Sequence, residues 1–177
     1  MGHNLFEHLP KISSFLITST DIQEGEKLPL SQVSGIFGAG GKDISPQLSW
    51  SGFPQSTKSF VVTVYDIDAP TPSGVCHWAV VDIPAHVTEL ASAAGDQEDG
   101  SGLPTGAFAL RNDGGTTRFI GAAPPIGAGK HCYVTTVYAI DIASLGVGKD
   151  ASLELLGTTV LSHILGCAAI VSWYERT

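Results

Sequence analysis

Two stretches of this chain, Ser59 to Asp68 and His131 to Ile142, are apolar at odd and even positions alike. In the first, Phe60, Val62 and Val64 alternate with Val61, Thr63 and Tyr65. β-Branched and aromatic residues at this density favour extended backbone. A strand that is apolar on both faces must be covered on both, so each run is expected at the centre of a sheet. Each run also meets a polar cluster at one end. Asp66, Asp68 and Pro70 close the first, with His77 shortly after; Gly121 to Pro125 precede the second, which opens on His131, Cys132 and Tyr133. Side chains alternate faces along a strand, which puts Asp66 with Asp68, and His131 with Tyr133, on common faces. Together these residues are expected to line one small polar pocket.

The rest of the chain reads as short pieces. Phe15 to Thr18, Leu48 to Trp50, Cys76 to Ile83 and Ala168 to Tyr174 are strand-like, and Pro84 stops the third. Gln23 to Lys42 and Ala91 to Gly106 are loops. Ser152 to Leu165 is the one helix, capped by Asp150 or Ser152 and stopped by Gly166, with Leu153, Leu156, Val160 and Ile164 on one apolar stripe. With 21 Gly and 10 Pro dividing the apolar runs of 177 residues, a single mainly β domain over 1–177 is expected, carrying a late peripheral helix and a short final strand.

Charge and composition narrow the function. A net charge of −8 argues against nucleic-acid binding, which needs a basic face. No run approaches the ~18 apolar residues of a membrane span. Met1 to Pro10 lacks the basic start and apolar core of a signal peptide, so a cytoplasmic chain is expected. Cys76, Cys132 and Cys167 form no CxxC pair and read as reduced thiols.

A carboxylate at a partly buried strand end needs a partner, and His77 and His131 are available. A carboxylate bonded to one ring nitrogen sets the tautomer and directs the other into the pocket. His131 and Tyr133 offer N–H and O–H donors, and the amides of Gly121 to Ala123 could add more. Metal-assisted hydrolysis would draw ligands from Asp66, Asp68, His77 and His131, but no HExxH or HxH spacing is present. Covalent catalysis would use Ser73 or Cys76 beside His77, but no GxSxG elbow appears. A non-catalytic anion pocket, without cofactor or metal, is the simplest reading. Trp78 is expected to face away from His77 into the core, and His3, His8, His86 and His163 to be surface or packing residues.

Five motifs taken together extend this. Ile44 to Trp50, Ser59 to Pro70, His77 to Pro84, Arg111-Asn112-Asp113, and Gly121 to Gly127 followed by His131-Cys132-Tyr133 resemble the phosphatidylethanolamine-binding protein family, also called the Raf kinase inhibitor proteins, and its bacterial branch in particular. The resemblance runs from Phe15 to Arg176. It implies a sandwich of two antiparallel sheets with a peripheral helix, and a pocket that takes phosphate, acetate or phosphorylated headgroups. Carried over motif by motif, the site is Asp66, Asp68, Pro70, His77, Gly121, Pro124, His131 and Tyr133, and the Ala69–Pro70 bond is cis. Ile67 stands where the family usually has Pro, and Ala123 where it has Gly or Cys, so the rim is expected to differ. The pocket is expected to be more open than in eukaryotic members, which carry a longer C-terminal helix. The implied function is a non-enzymatic binding protein for a phosphate-like group, either a headgroup such as phosphorylethanolamine or a phosphorylated side chain. The alternative is a regulatory protein that inhibits a kinase or another partner; homodimerisation is compatible with either. So small a pocket excludes acyl chains, and headgroup binding therefore implies no membrane insertion.

Overall fold

The two doubly apolar runs lie side by side at the centre of a six-stranded sheet. The computed structural model describes residues 12–177, so the readings of Met1 to Pro10, His3 and His8 lie outside the described residues. In chain order the strands are β1 (Ser13–Ser14), β2 (Leu16–Thr18), β3 (Leu48–Ser51), β4 (Ser59–Asp66), β5 (Val75–Pro84), β6 (Glu89–Leu90), β7 (Phe108–Ala109), β8 (His131–Ile140) and β9 (Ile164–Tyr174), with helix α1 (Leu153–His163) before the last. The larger sheet has the order β1-β9-β8-β4-β5-β7, and β2-β3-β6 form a smaller one. Pairing is antiparallel except at one edge, where β1 runs parallel to β9.

Both faces of β4 are covered, as its composition demands. Phe60, Val62 and Val64 pack with Leu48, Trp50, Trp78 and Val137 between the two sheets. Val61 turns to the other side and joins Ala79, Val81, Ile140, Leu156 and Val160 beneath α1. Phe60 and Val62 are fully buried, and each such side chain stabilises the fold by ~1.5–3 kcal/mol.

The Ser152 hydroxyl accepts the Leu155 amide at 3.2 Å and caps α1. The helix ends at His163, and the final strand begins at once, so that strand is 11 residues long rather than short. Gly166 does not stop the helix. It lies in β9, where a Cβ would meet the Ser13 carbonyl oxygen at 2.6 Å, and its missing side chain admits β1. The Ala69–Pro70 bond is trans, contrary to expectation, because no cis peptide occurs among the described residues. Thr71 donates its amide to the Ala69 carbonyl at 2.7 Å, a three-residue turn about Pro70 that needs no cis bond.

The glycine-rich segment after β2 is anchored to the strand region by one buried acid. Asp43, with φ of 54°, accepts the amides of Gly35 at 2.7 Å and Ile36 at 2.9 Å on Oδ2, and that of Gly121 at 2.8 Å on Oδ1. Burial alone would raise its pKa, but these donors and Ser34 hold it below the usual carboxylate value. Three amides, that of Gly121 buried and those of Gly35 and Ile36 partly so, lose their acceptor in Asp43→Ala, and hydrogen bonds to charged groups contribute ~1.5–3 kcal/mol each. Chemical denaturation of Asp43→Ala is expected to show a loss of about 3 kcal/mol or more; a change below ~1 kcal/mol contradicts this role.

Candidate functional site

Strand direction assembles the site. Because β4 is antiparallel to β5 and to β8, its C-terminal end meets the start of both neighbours. Asp66 pairs with Val75 on one side and Tyr133 on the other, with His77 and His131 two residues along each neighbour. His131 Nδ1–H donates to Asp66 Oδ2 at 2.8 Å, and both side chains are buried.

His77 owes its position to an irregularity. Val64 pairs with Trp78 and Tyr65 with Cys76, which leaves His77 as the inserted residue of a β-bulge. The bulge breaks the alternation, so Trp78 enters the core between the sheets while Cys76 packs beneath α1. The His77 carbonyl accepts the Ile120 amide at 3.2 Å and Asn112 Nδ2 at 3.1 Å. Its ring donates Nδ1–H back to the Ile120 carbonyl at 2.9 Å. A backbone carbonyl, and not Asp68, therefore orients this imidazole and leaves Nε2 as its free nitrogen.

These groups open on a cleft of about 540 Å³ whose lining includes Asp66, Pro70, His77, Asp113, Pro124 and His131. Among the described residues, no Lys or Arg lines it. Asp113, which sequence reasoning did not assign to the site, also accepts the Cys76 amide at 2.6 Å.

The remaining predicted residues stand apart from this lining. Asp68 is exposed and accepts the Cys132 amide at 2.7 Å, closing the turn after β4. Gly121 is a packing position, since a Cβ there would collide with the Val33 carbonyl group. Its amide goes to Asp43 and that of Ala122 to Gln32, so these two amides are already engaged. Tyr133 lies behind the cleft, its ring edge-on to His77 at 5.3 Å. Its hydroxyl is buried without a hydrogen bond among the described residues, and burial together with Asp66 raises its pKa and keeps the phenol protonated. Ile67, where the resemblance expected a rim difference, donates its amide to the Cys132 carbonyl at 3.1 Å, a bond Pro could not make.

The Cys76 thiol is pushed up to about 12, chiefly by burial. Cys132 reaches about 11, through burial and then Asp68. Among the described residues no group of three or more His, Cys, Asp or Glu is arranged to hold a metal ion, and no helix is long and apolar enough to cross a membrane.

The family model for phosphatidylethanolamine-binding protein matches residues 18–175. The chain belongs to the phosphatidylethanolamine-binding protein family. Among its relatives, YbcL of Escherichia coli is 46% identical over 92% of this chain and 88% of its own, and YbhB of the same organism 44% identical over 90% and 99%. The crystal structure of YbcL superposes with a TM-score of 0.89 at 45% identity, covering 93% of this chain and all of that one. That of the Chlamydia trachomatis homologue CT736 gives 0.75 at 27% identity, over 93% and 99%. Membership of this family supports a binding-protein role.

Burial disfavours the charged form of His77 more than Ile120 and Asp66 favour it, so its pKa lies below the ordinary value of 6.5. An unfolded-state histidine takes up its proton near ~6.5. The unfolded chain therefore binds more protons below that pH, and stability from a neutral His77 is lost as pH falls toward the folded pKa. Ring NMR signals of His77 are expected to titrate below 6.5, with the slope of stability against pH reduced in His77→Gln. A midpoint at or above ~6.5 contradicts this.

Proposed function

We propose that the cleft binds the phosphate-type group of a small zwitterionic headgroup, of the phosphorylethanolamine kind, without catalysing a reaction. One observation carries this reading. His77 and His131 both commit Nδ1–H to protein acceptors, leaving each Nε2 free in a cleft that, among the described residues, contains two carboxylates and no fixed cation. A fully ionised phosphate meets Asp66 and Asp113 unfavourably there. A ligand that brings its own proton or ammonium group does not. Neutral His77 accepts a hydrogen bond at Nε2 from a P–OH or N–H donor. His131, backed by Asp66, donates from Nε2 when doubly protonated, and Asp113 offsets the ligand's ammonium. The high thiol pKa values of Cys76 and Cys132 fit binding rather than nucleophilic chemistry.

Calorimetric titration with inorganic phosphate, phosphorylethanolamine and ethanolamine tests this. Hydrogen bonds contribute ~0.5–3 kcal/mol each against strong hydration, so phosphate alone should bind weakly, near millimolar. Phosphorylethanolamine should bind more tightly than either part, and more tightly at pH 6 than at pH 8, since phosphate gains its second proton near ~6. His77→Ala and His131→Ala should each weaken it about tenfold or more; unchanged affinity in both ends the proposal. A phosphoserine peptide is the comparison arm, and tighter binding of the peptide would move the reading to a phosphoprotein partner.

A further inference from the structure

On the opposite face of β4 lies a second cavity, a groove of about 330 Å³ between the sheet and α1. Tyr65, Ile67, Val134, Tyr138, Leu156 and Gly157 are among its walls, and among the described residues its only charged linings are Asp113 and Glu154. Its size falls in the ~300–1,000 Å³ range of small-molecule sites. Ser73 and Asp113 line both this groove and the polar cleft, so the groove begins at the rim where the cleft ends.

Gly157 gives an independent indication that the groove is kept open. It sits within α1, where glycine weakens a helix relative to almost any other residue. Packing does not call for it, because a Cβ there would meet no atom within 4 Å. Its missing side chain leaves space in the groove wall. Ile67, at the other end, turns an apolar side chain into the same groove and remains 38% exposed.

We propose that this groove holds the alkyl tail of a single-chain amphiphile whose phosphate-type head occupies the cleft. The assignment of the tail rests on the reading of the cleft given above. The groove supplies an apolar channel that starts at the rim of the cleft, beside the head.

Methyl phosphate and n-octyl phosphate, the latter below its micelle concentration, separate head from tail when titrated into the full chain. Two fully buried methylenes already give roughly tenfold in affinity, so octyl phosphate should bind at least about tenfold more tightly. It should also shift the methyl NMR signals of Val134, Leu156 and Val160, which methyl phosphate should not. Gly157→Ala should keep the gain. Gly157→Leu should abolish it with methyl phosphate binding unchanged, and both variants should melt no lower than the parent. Equal affinity for the two phosphates, or a gain that survives Gly157→Leu, overturns the tail assignment while methyl phosphate binding keeps the head site. Failure of methyl phosphate to bind removes the head site and the proposal with it. A solution dimer broken by Gly157→Leu, or contacts from the groove methyls to the first eleven residues without ligand, would assign the groove to another occupant and also overturn it.

Discussion

The antiparallel placement of β4 between β5 and β8 is the constraint on which the site depends. A central strand that ends where both neighbours begin puts three chain segments, distant in sequence, at one edge of the sheet. Asp66, His77 and His131 converge for that reason, and no long-range electrostatic selection is needed to gather them. The apolar content of β4 and β8 fixes them at the centre, because either strand at an edge would expose a face that the sequence has made hydrophobic. Core packing thus positions the polar groups. Val62 and Val64 are buried so that Asp66, at the end of the same strand, can meet a cleft.

At the strand end the ladder runs out of backbone partners, and the structure supplies them one by one. The bulge at His77 releases a carbonyl that Ile120 and Asn112 take up. Asp68 captures the Cys132 amide, and Asp43 captures that of Gly121. These carboxylates are structural anions holding backbone amides, and without Asp43 the buried amide of Gly121 would go unpaired. What remains unspent faces the cleft: two Nε2 atoms and one carboxylate oxygen edge. The net negative charge of the chain is therefore partly built into its folding, which is why charge alone says little about the sign of the ligand.

The centre of the fold was legible because it obeys a simple period. The bounds the sequence suggests for β4, β5 and β8 fall within two residues of those observed; those strands and their turns bring Asp66, His77 and His131 to one pocket, and the family resemblance adds Pro70 and Pro124. β1, β6 and β7, at two residues each, are too short to carry a period. A bulge inserts one residue without changing composition, so alternation could not show that Ile120 would orient His77. Asp68 was misplaced for a related reason, since β4 ends at Asp66 and strict alternation does not continue into the turn. Asp43 carried no signal at all. Its role comes from pairing over 78 positions with an amide of Gly121, and nothing local announces that.

The same strand end separates two chemistries by one residue. Asp66 faces the polar cleft, while Tyr65 and Ile67 on either side face the apolar groove. Within the sheet these faces are insulated from each other by the backbone ladder. Past Asp66 the ladder gives way to the Ala69–Gly74 turn, and Ser73 and Asp113 become common to both sides. A ligand confined to either cavity uses half of this arrangement. One that is polar at one end and apolar at the other can use both faces only here, because farther along β4 the strand is closed between its neighbours and buried. The position of the site at a strand terminus, rather than on a sheet face, is thus what makes a bipartite ligand physically accessible to this fold.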